Sequence, residues 1–416
     1  MSSATVRHFR HHARSCAQRP IVHQRLHTRH YAQRSAAKSR RNTTHTPGGV
    51  FEPFLKPTDG ASASKITQDP TPLARDLSVK DVLPKDELLK ILMTNSNLTM
   101  PIEKQKAAVQ AVLETLQQVQ PSKAAFPKLL ELSENKSADL TALGNVILRA
   151  NSQASQIALV LYECAMEAGD DTAAFSYANM LYRGYGGIEK DIDRGIQILT
   201  DLARKGHPYA QMNLAAIVMR TKKDGGKTAV QLYELAGRGG IDSAWAELGR
   251  MYRAGLGVAQ DHQKAMDYFR KGAQSGNAQC NFMLGVYYSA PQDGSPVDQA
   301  AAFRHFQKAA IKGMPEAQYN VGLRYFSGNG VEQNFVNAAE FYLMAAAQGF
   351  PLAESNLARM YYEGRGVKPS LEKAEKLWRK LADRGGPIGK DAEKCLEQYI
   401  NNQQSRSSDK TKCTIM

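Results

Sequence analysis

Residues 325–349 read YFSGNGVEQNFVNAAEFYLMAAAQG, and two other stretches keep the same residue types at the same offsets. From Tyr325 the stretch places Gly328, Gly330, Val331, Asn334, Ala338, Tyr342, Ala346 and Gly349. Residues 252–276 give Gly255, Gly257, Val258, Asp261, Ala265, Phe269, Ala273 and Gly276 from Tyr252. Residues 361–385 give Gly364, Gly366, Val367, Ser370, Ala374, Trp378, Ala382 and Gly385 from Tyr361. Agreement at every offset identifies one structural unit used repeatedly.

Working outward, the closing glycine recurs at Gly169, Gly206, Gly240, Gly276, Gly313, Gly349 and Gly385. A small residue follows four positions later at Ala173, Ala210, Ala244, Cys280, Ala317 and Ala353, with Gly389 after the last. A spacing of 34–37 residues is the length of a two-helix unit and marks an all-α solenoid rather than independent globular domains. Helix A carries the small residue, a Leu-Gly-like pair (Leu248-Gly249, Val321-Gly322, Leu357-Ala358) and the tyrosine, which is expected to fill the gap above the small residues. The Gly-x-Gly turn supplies positive φ without a steric cost. Asp261, Asn334 and Ser370 are suited to cap helix B, which turns Ala265, Phe269 and Ala273 toward its partner. Pro208, Pro315 and Pro351 open three A helices.

These residues resemble the Sel-one-like repeat, a relative of the tetratricopeptide repeat. The resemblance covers residues 138–390 in about seven units, including a degenerate first one from Leu140 to Gly169. It implies a right-handed α-solenoid of antiparallel helix pairs. Three turns depart from the pattern, around Gly186-Gly187, at 221–226, and at Ala290-Pro291-Gln292-Asp293-Gly294.

Upstream of residue 76 the chain changes character. Residues 1–51 hold ten Lys or Arg and no acid, and the first acidic residue is Glu52. Without these ten cations the net charge of +14 falls to +4, so the basic balance belongs to the leader and no nucleic-acid-binding face is implied. Residues 1–41 read as a disordered mitochondrial transit-like leader, with Arg29-His30-Tyr31-Ala32 fitting cleavage between Tyr31 and Ala32. Residues 42–75 lack periodicity and read as a flexible linker, and 76–137 as a helical segment. Within that segment helices are expected from Pro101 to about Gln118 and from Lys123 to Leu132. Residues 391–416 read as a terminal helix and disordered tail ending Cys413-Thr414-Ile415-Met416, which resembles a farnesylation box at Cys413. Fungal chitin synthase regulators, as a family, combine Sel-one-like repeats with such a terminus.

The motifs carry no catalytic constellation. Gly226-Lys227-Thr228 lacks the preceding strand and the spaced glycine of a phosphate loop. Beyond residue 51 the histidines are His207, His262 and His305, one per repeat and without metal-ligand spacing. Cys164, Cys280 and Cys395 occupy small-residue positions that suit packing, and no CxxC pair exists. The expectation is a protein without enzymatic activity, cofactor, metal or membrane-spanning segment, although peripheral membrane association stays open. If the helix register follows tetratricopeptide units, a concave face binds a protein or peptide client through Phe175, Asn179, Tyr182, Arg250, Arg253, Phe282, Tyr319, Phe326, Arg359 and Tyr362. The leading expectation is a mitochondrial adaptor, in the matrix or at the inner membrane, that assists assembly of a respiratory complex such as cytochrome oxidase, or of translation machinery. The alternative is a farnesylated regulator at the cytosolic face of the plasma membrane that recruits or activates an enzyme such as chitin synthase.

Overall fold

The computed structural model describes residues 77–412 except 97, 119–121, 222–223 and 292–295. The leader, the linker, the Tyr31–Ala32 pair and Cys413 lie outside the described residues. Among the described residues there are nineteen α-helices and no β-strand. They form two compact units on either side of the Ile241–Asp242 bond.

The first unit begins with α1 (Val79–Val82), α2 (Asp86–Ser96), α3 (Ile102–Gln117) and α4 (Phe126–Leu132). Three antiparallel pairs follow: α5 (Ser137–Ala150) with α6 (Ser155–Glu167), α7 (Asp171–Arg183) with α8 (Ile192–Arg204), and α9 (Pro208–Thr221) with α10 (Gly226–Arg238). The helix expected over 123–132 is split into a 3-10 turn at Ser122–Ala125 and α4. Pro127 accounts for the break, because a residue without an N–H fits only the first turn of a new helix. Buried Asp139 accepts hydrogen bonds from the Thr99 amide and hydroxyl, each at 2.7 Å, and ties the N-terminal segment to α5.

The second unit contains α11 (Asp242–Ala254) with α12 (His262–Gln274), α13 (Ala278–Ser289) with α14 (Gln299–Ile311), α15 (Pro315–Ser327) with α16 (Phe335–Ala347), and α17 (Pro351–Glu363) with α18 (Leu371–Arg384). A longer helix, α19 (Gly386–Lys412), closes it. This helix starts inside the stretch assigned to the last repeat. Gly389 explains why: a Cβ there would lie 2.9 Å from the Leu381 carbonyl, so α19 packs on α18 with the close approach of an A helix.

Local chemistry sets the helix ends. Asp261, Asn334 and Ser370 each accept a hydrogen bond from a backbone amide of the helix they precede, at 2.9, 3.0 and 3.3 Å. Pro208, Pro315 and Pro351 are the first residues of their helices. Gly328 and Gly330 have φ of +74° and +76°. The second of these answers to a neighbour as well as to φ, because a Cβ at Gly330 would collide with the carbonyl of Gln299 at the start of α14.

Packing within a pair differs from the sequence expectation in one respect. The gap above the A-helix glycine is filled from helix B, by the rings of Phe269 over Gly249, Phe306 over Gly285 and Tyr342 over Gly322. All three rings are fully buried, and truncating any of them costs about 3–5 kcal/mol by the usual core penalty. The A-helix tyrosines instead stack side by side on helix B, Tyr252 on Tyr268 at 5.6 Å and Tyr325 on Phe341 at 5.9 Å. Their position three residues beyond the glycine carries them past the gap.

The cysteines behave as small hydrophobes where they are buried. Burial pushes the Cys164 thiol up to about 12 and raises that of Cys280, so neither forms a thiolate near neutral pH. Cys395 is only partly buried.

Candidate protein-binding surface

The ten residues expected to line a groove separate into two groups. Phe175, Asn179, Phe282 and Tyr319 are buried and do not form a surface. The aromatic residues two positions after the small residue enter the seam with neighbouring helices. Phe175 stacks on His207 at 5.2 Å, Phe282 meets Phe306 edge-on at 5.5 Å, and Tyr319 lies 5.8 Å from Tyr342 and 5.3 Å from Phe350. Side chains on a helix lean toward its N-terminus, which carries a large residue at this position into the seam. Asn179 donates to the Phe175 carbonyl at 2.8 Å and accepts from the Asn213 amide at 2.8 Å, stapling α7 to α9.

Tyr182, Arg250, Arg253, Phe326, Arg359 and Tyr362 are partly exposed. They occur six or nine positions after the small residue, one or two turns further along helix A. Their charges are partly committed already. Arg250 donates from Nε to the Glu247 carboxylate at 2.9 Å, a contact within α11 that neutralises it. Arg253 has a buried Nε with no hydrogen-bond partner among the described residues. Arg359 donates to Asn356 Oδ1 at 3.2 Å and keeps its positive charge. Tyr362 covers Trp378 at 5.5 Å.

One cluster brings apolar rings and guanidinium groups together. Phe326, near the end of α15, meets Phe335, the first residue of α16, edge-on at 5.2 Å. The Arg359 guanidinium lies 5.8 Å from the Phe326 ring centre. Arg365, between Gly364 and Gly366, lies 5.9 Å from both rings and pairs with Glu363 at 2.9 Å. Two cations facing two partly exposed rings make a surface that accepts an acidic side chain beside an apolar one. Phe335 and Arg365 were missed at the sequence level. Both stand where the other strong repeats vary, at the residue after the cap (His262, Leu371) and at the middle of the turn (Leu256, Asn329), and that variability was the available signal.

A second group of charges is structural. Glu354 is fully buried at the start of α17 and pairs with Lys380 and Arg384 of α18, each at 2.7 Å. Arg384 also donates to the Gly349 carbonyl at 3.2 Å.

Comparison with known proteins places these units in a family. The Sel1 repeat model matches residues 172–207, 208–241, 244–277, 278–314, 315–350 and 351–386, which together make up just over half of the chain. An uncharacterized protein of Neisseria meningitidis is 30% identical over 174 residues, covering 42% of this chain and 35% of that protein. Chitin synthase regulatory factor 3 of Schizosaccharomyces pombe is 27% identical over 194 residues, covering 44% of this chain and 21% of that protein. The chain thus spans about a third or less of the length of these relatives. A solved Sel1 repeat protein from Oxalobacter formigenes aligns over 78% of this chain and 94% of its own, with 22% identity and a TM-score of 0.54, which is a likeness of fold. With repeat spacing, helix pairing and family model in agreement, the chain belongs to the Sel1 repeat family.

Proposed function

We propose that this chain is a non-catalytic adaptor that holds a segment of a client protein on the exposed ends of its A helices. The Phe326–Phe335–Arg359–Arg365 cluster carries this reading, since it joins apolar area to cations not all of which are neutralised. The client segment would pair an acidic residue with a bulky apolar one. The leader of residues 1–41, with ten cations and no acid, favours delivery to mitochondria, where the adaptor would assist assembly of a respiratory or translation complex. Fractionation with protease protection tests the location. A protected form lacking the 31 residues up to Tyr31 supports it, and full-length protein accessible to protease outside mitochondria refutes it.

A second reading rests on a different observation. The similarity to a protein named as a chitin synthase regulatory factor, together with the farnesylation-like Cys413, favours a regulator recruited to a membrane enzyme. It requires lipid on Cys413, which mass spectrometry of the C-terminal peptide detects directly.

A further inference from the structure

The B helices of the second unit present equivalent positions outward, and one helix breaks their polar pattern. Counting from the cap residue, α14 presents Ala300, Arg304, Gln307, Lys308 and Ile311, whereas α16 presents Val336, Glu340, Leu343, Met344 and Ala347. The same positions in α18 are Glu372, Lys376, Arg379, Lys380 and Asp383. Val336, Leu343 and Met344 are 54%, 53% and 47% exposed, and Ile311 reaches 74%. Such a concentration of exposed apolar side chains on one helix face calls for a covering phase.

Side-chain hydrogen bonds to backbone carbonyls show that the three helices lie side by side. Gln348, after α16, donates to the Gly313 carbonyl after α14 at 3.0 Å, and Arg384 of α18 donates to the Gly349 carbonyl. The turns at Gly330 and Gly366 press on the first residues of α14 and α16 respectively. The apolar ridge is therefore flanked by Arg304 and Lys308 on one side and Lys376 on the other. None of these three cations forms an ion pair among the described residues. The exposed acids at these positions are Glu340 on the ridge and Glu372 and Asp383 on α18.

The geometry points to an anionic lipid bilayer as the surface that covers this face, with Leu343, Met344, Val336 and Ile311 entering the headgroup layer and Arg304, Lys308 and Lys376 contacting lipid phosphates. Val336, Leu343 and Met344 stand on the crest of α16, with Ile311 exposed at the end of the neighbouring α14, rather than in a groove between two helices. A crest suits a laterally extended, deformable phase better than another helix, which packs its ridge into a groove. Lys312, exposed just beyond α14, and the surplus cation of the Lys380–Arg384–Glu354 group join the three flanking cations to outweigh the three acids, and that positive balance selects anionic over zwitterionic lipid. The chain's own leader does not fit this face, because it carries cations and no acid. Among the described residues no helix is long and apolar enough to cross a membrane, so the contact is peripheral. This inference is independent of the client reading and needs no lipid on Cys413.

Flotation of the full-length, unlipidated protein with phosphatidylcholine vesicles, with and without phosphatidylserine, tests it. The wild type is expected to float with phosphatidylserine and stay behind without it. Leu343→Glu with Met344→Glu, and Arg304→Glu with Lys308→Glu, are each expected to reduce binding about fivefold or more, at unchanged melting temperature. The control Lys205→Glu with Lys227→Glu makes the same charge change in the other unit and should stay within about twofold of wild type. If all variants float like the wild type, the leader carries the binding and the proposal is overturned. Loss of binding in the control equal to that in the Arg304/Lys308 variant overturns it too.

Discussion

Two glycines in one turn separate a conformational cost from a packing cost. Gly328 and Gly330 share nearly the same φ, +74° and +76°. An added Cβ at Gly328 would have its nearest neighbour, Gln333 Cβ, at 3.5 Å, an ordinary contact. At Gly330 it would collide with backbone atoms of Gln299 and Ala300 at the start of α14, which cannot rotate away as a side chain can. Gly328→Ala should therefore lose about 1 kcal/mol, the left-handed penalty of about 1–2 kcal/mol reduced by the lower entropy of the unfolded chain. Gly330→Ala carries the same penalty plus about 1–3 kcal/mol for displacing a packed helix end, so about 2–4 kcal/mol in total. Urea denaturation followed by far-ultraviolet circular dichroism measures both losses. Amide exchange adds a local readout, since only the Gly330 variant should expose peptides from the start of α14. Equal losses in the two variants would refute the reasoning.

Other outcomes follow from the same contacts. Arg359→Glu with Arg365→Glu should weaken client capture about tenfold or more while leaving the melting temperature near wild type, measured by affinity capture; Arg250→Glu should do less, because Glu247 already neutralises Arg250. Replacing both Lys380 and Arg384 by Met strands the buried Glu354 carboxylate and should cost about 3–5 kcal/mol by chemical denaturation, whereas Glu354→Gln should cost less, since both cations can reach water. Burial holds the His207 and His305 imidazoles below their ordinary range, and Lys308, Arg304 and Arg270 add to this at His305. The unfolded chain therefore takes up protons that the fold resists, and melting temperature should fall as pH drops below about 6.5. His207→Gln with His305→Gln should flatten that fall, and an unchanged profile would contradict the assignment.

Much of the fold was legible because it rests on local chemistry. Asn334 caps α16, and Gly328 and Gly330 take positive φ, for reasons contained in a few consecutive residues. What the sequence left open was the direction of side chains between neighbouring units. Phe175 and Phe326 are both aromatic A-helix residues, yet Phe175 closes a seam against His207 while Phe326 reaches the surface beside Arg365. That difference follows position in the unit, two residues after the small residue for Phe175 and nine for Phe326, and the lean of helix side chains toward the N-terminus carries only the first into the seam. Arg250 teaches another lesson: its partner Glu247 lies three residues earlier on the same helix, a spacing that could have been read directly.

Site-specific photocrosslinking in living cells tests the central claim most directly. A photoreactive phenylalanine analogue at Phe326 or Phe335 should form an adduct with one client polypeptide, and Arg359→Glu with Arg365→Glu should abolish it. The same probe at Leu235, an exposed residue on a B helix of the other unit, should give no such adduct. Equal adducts from Leu235 and Phe326, or adducts at Phe326 that survive the arginine replacements, would contradict the account.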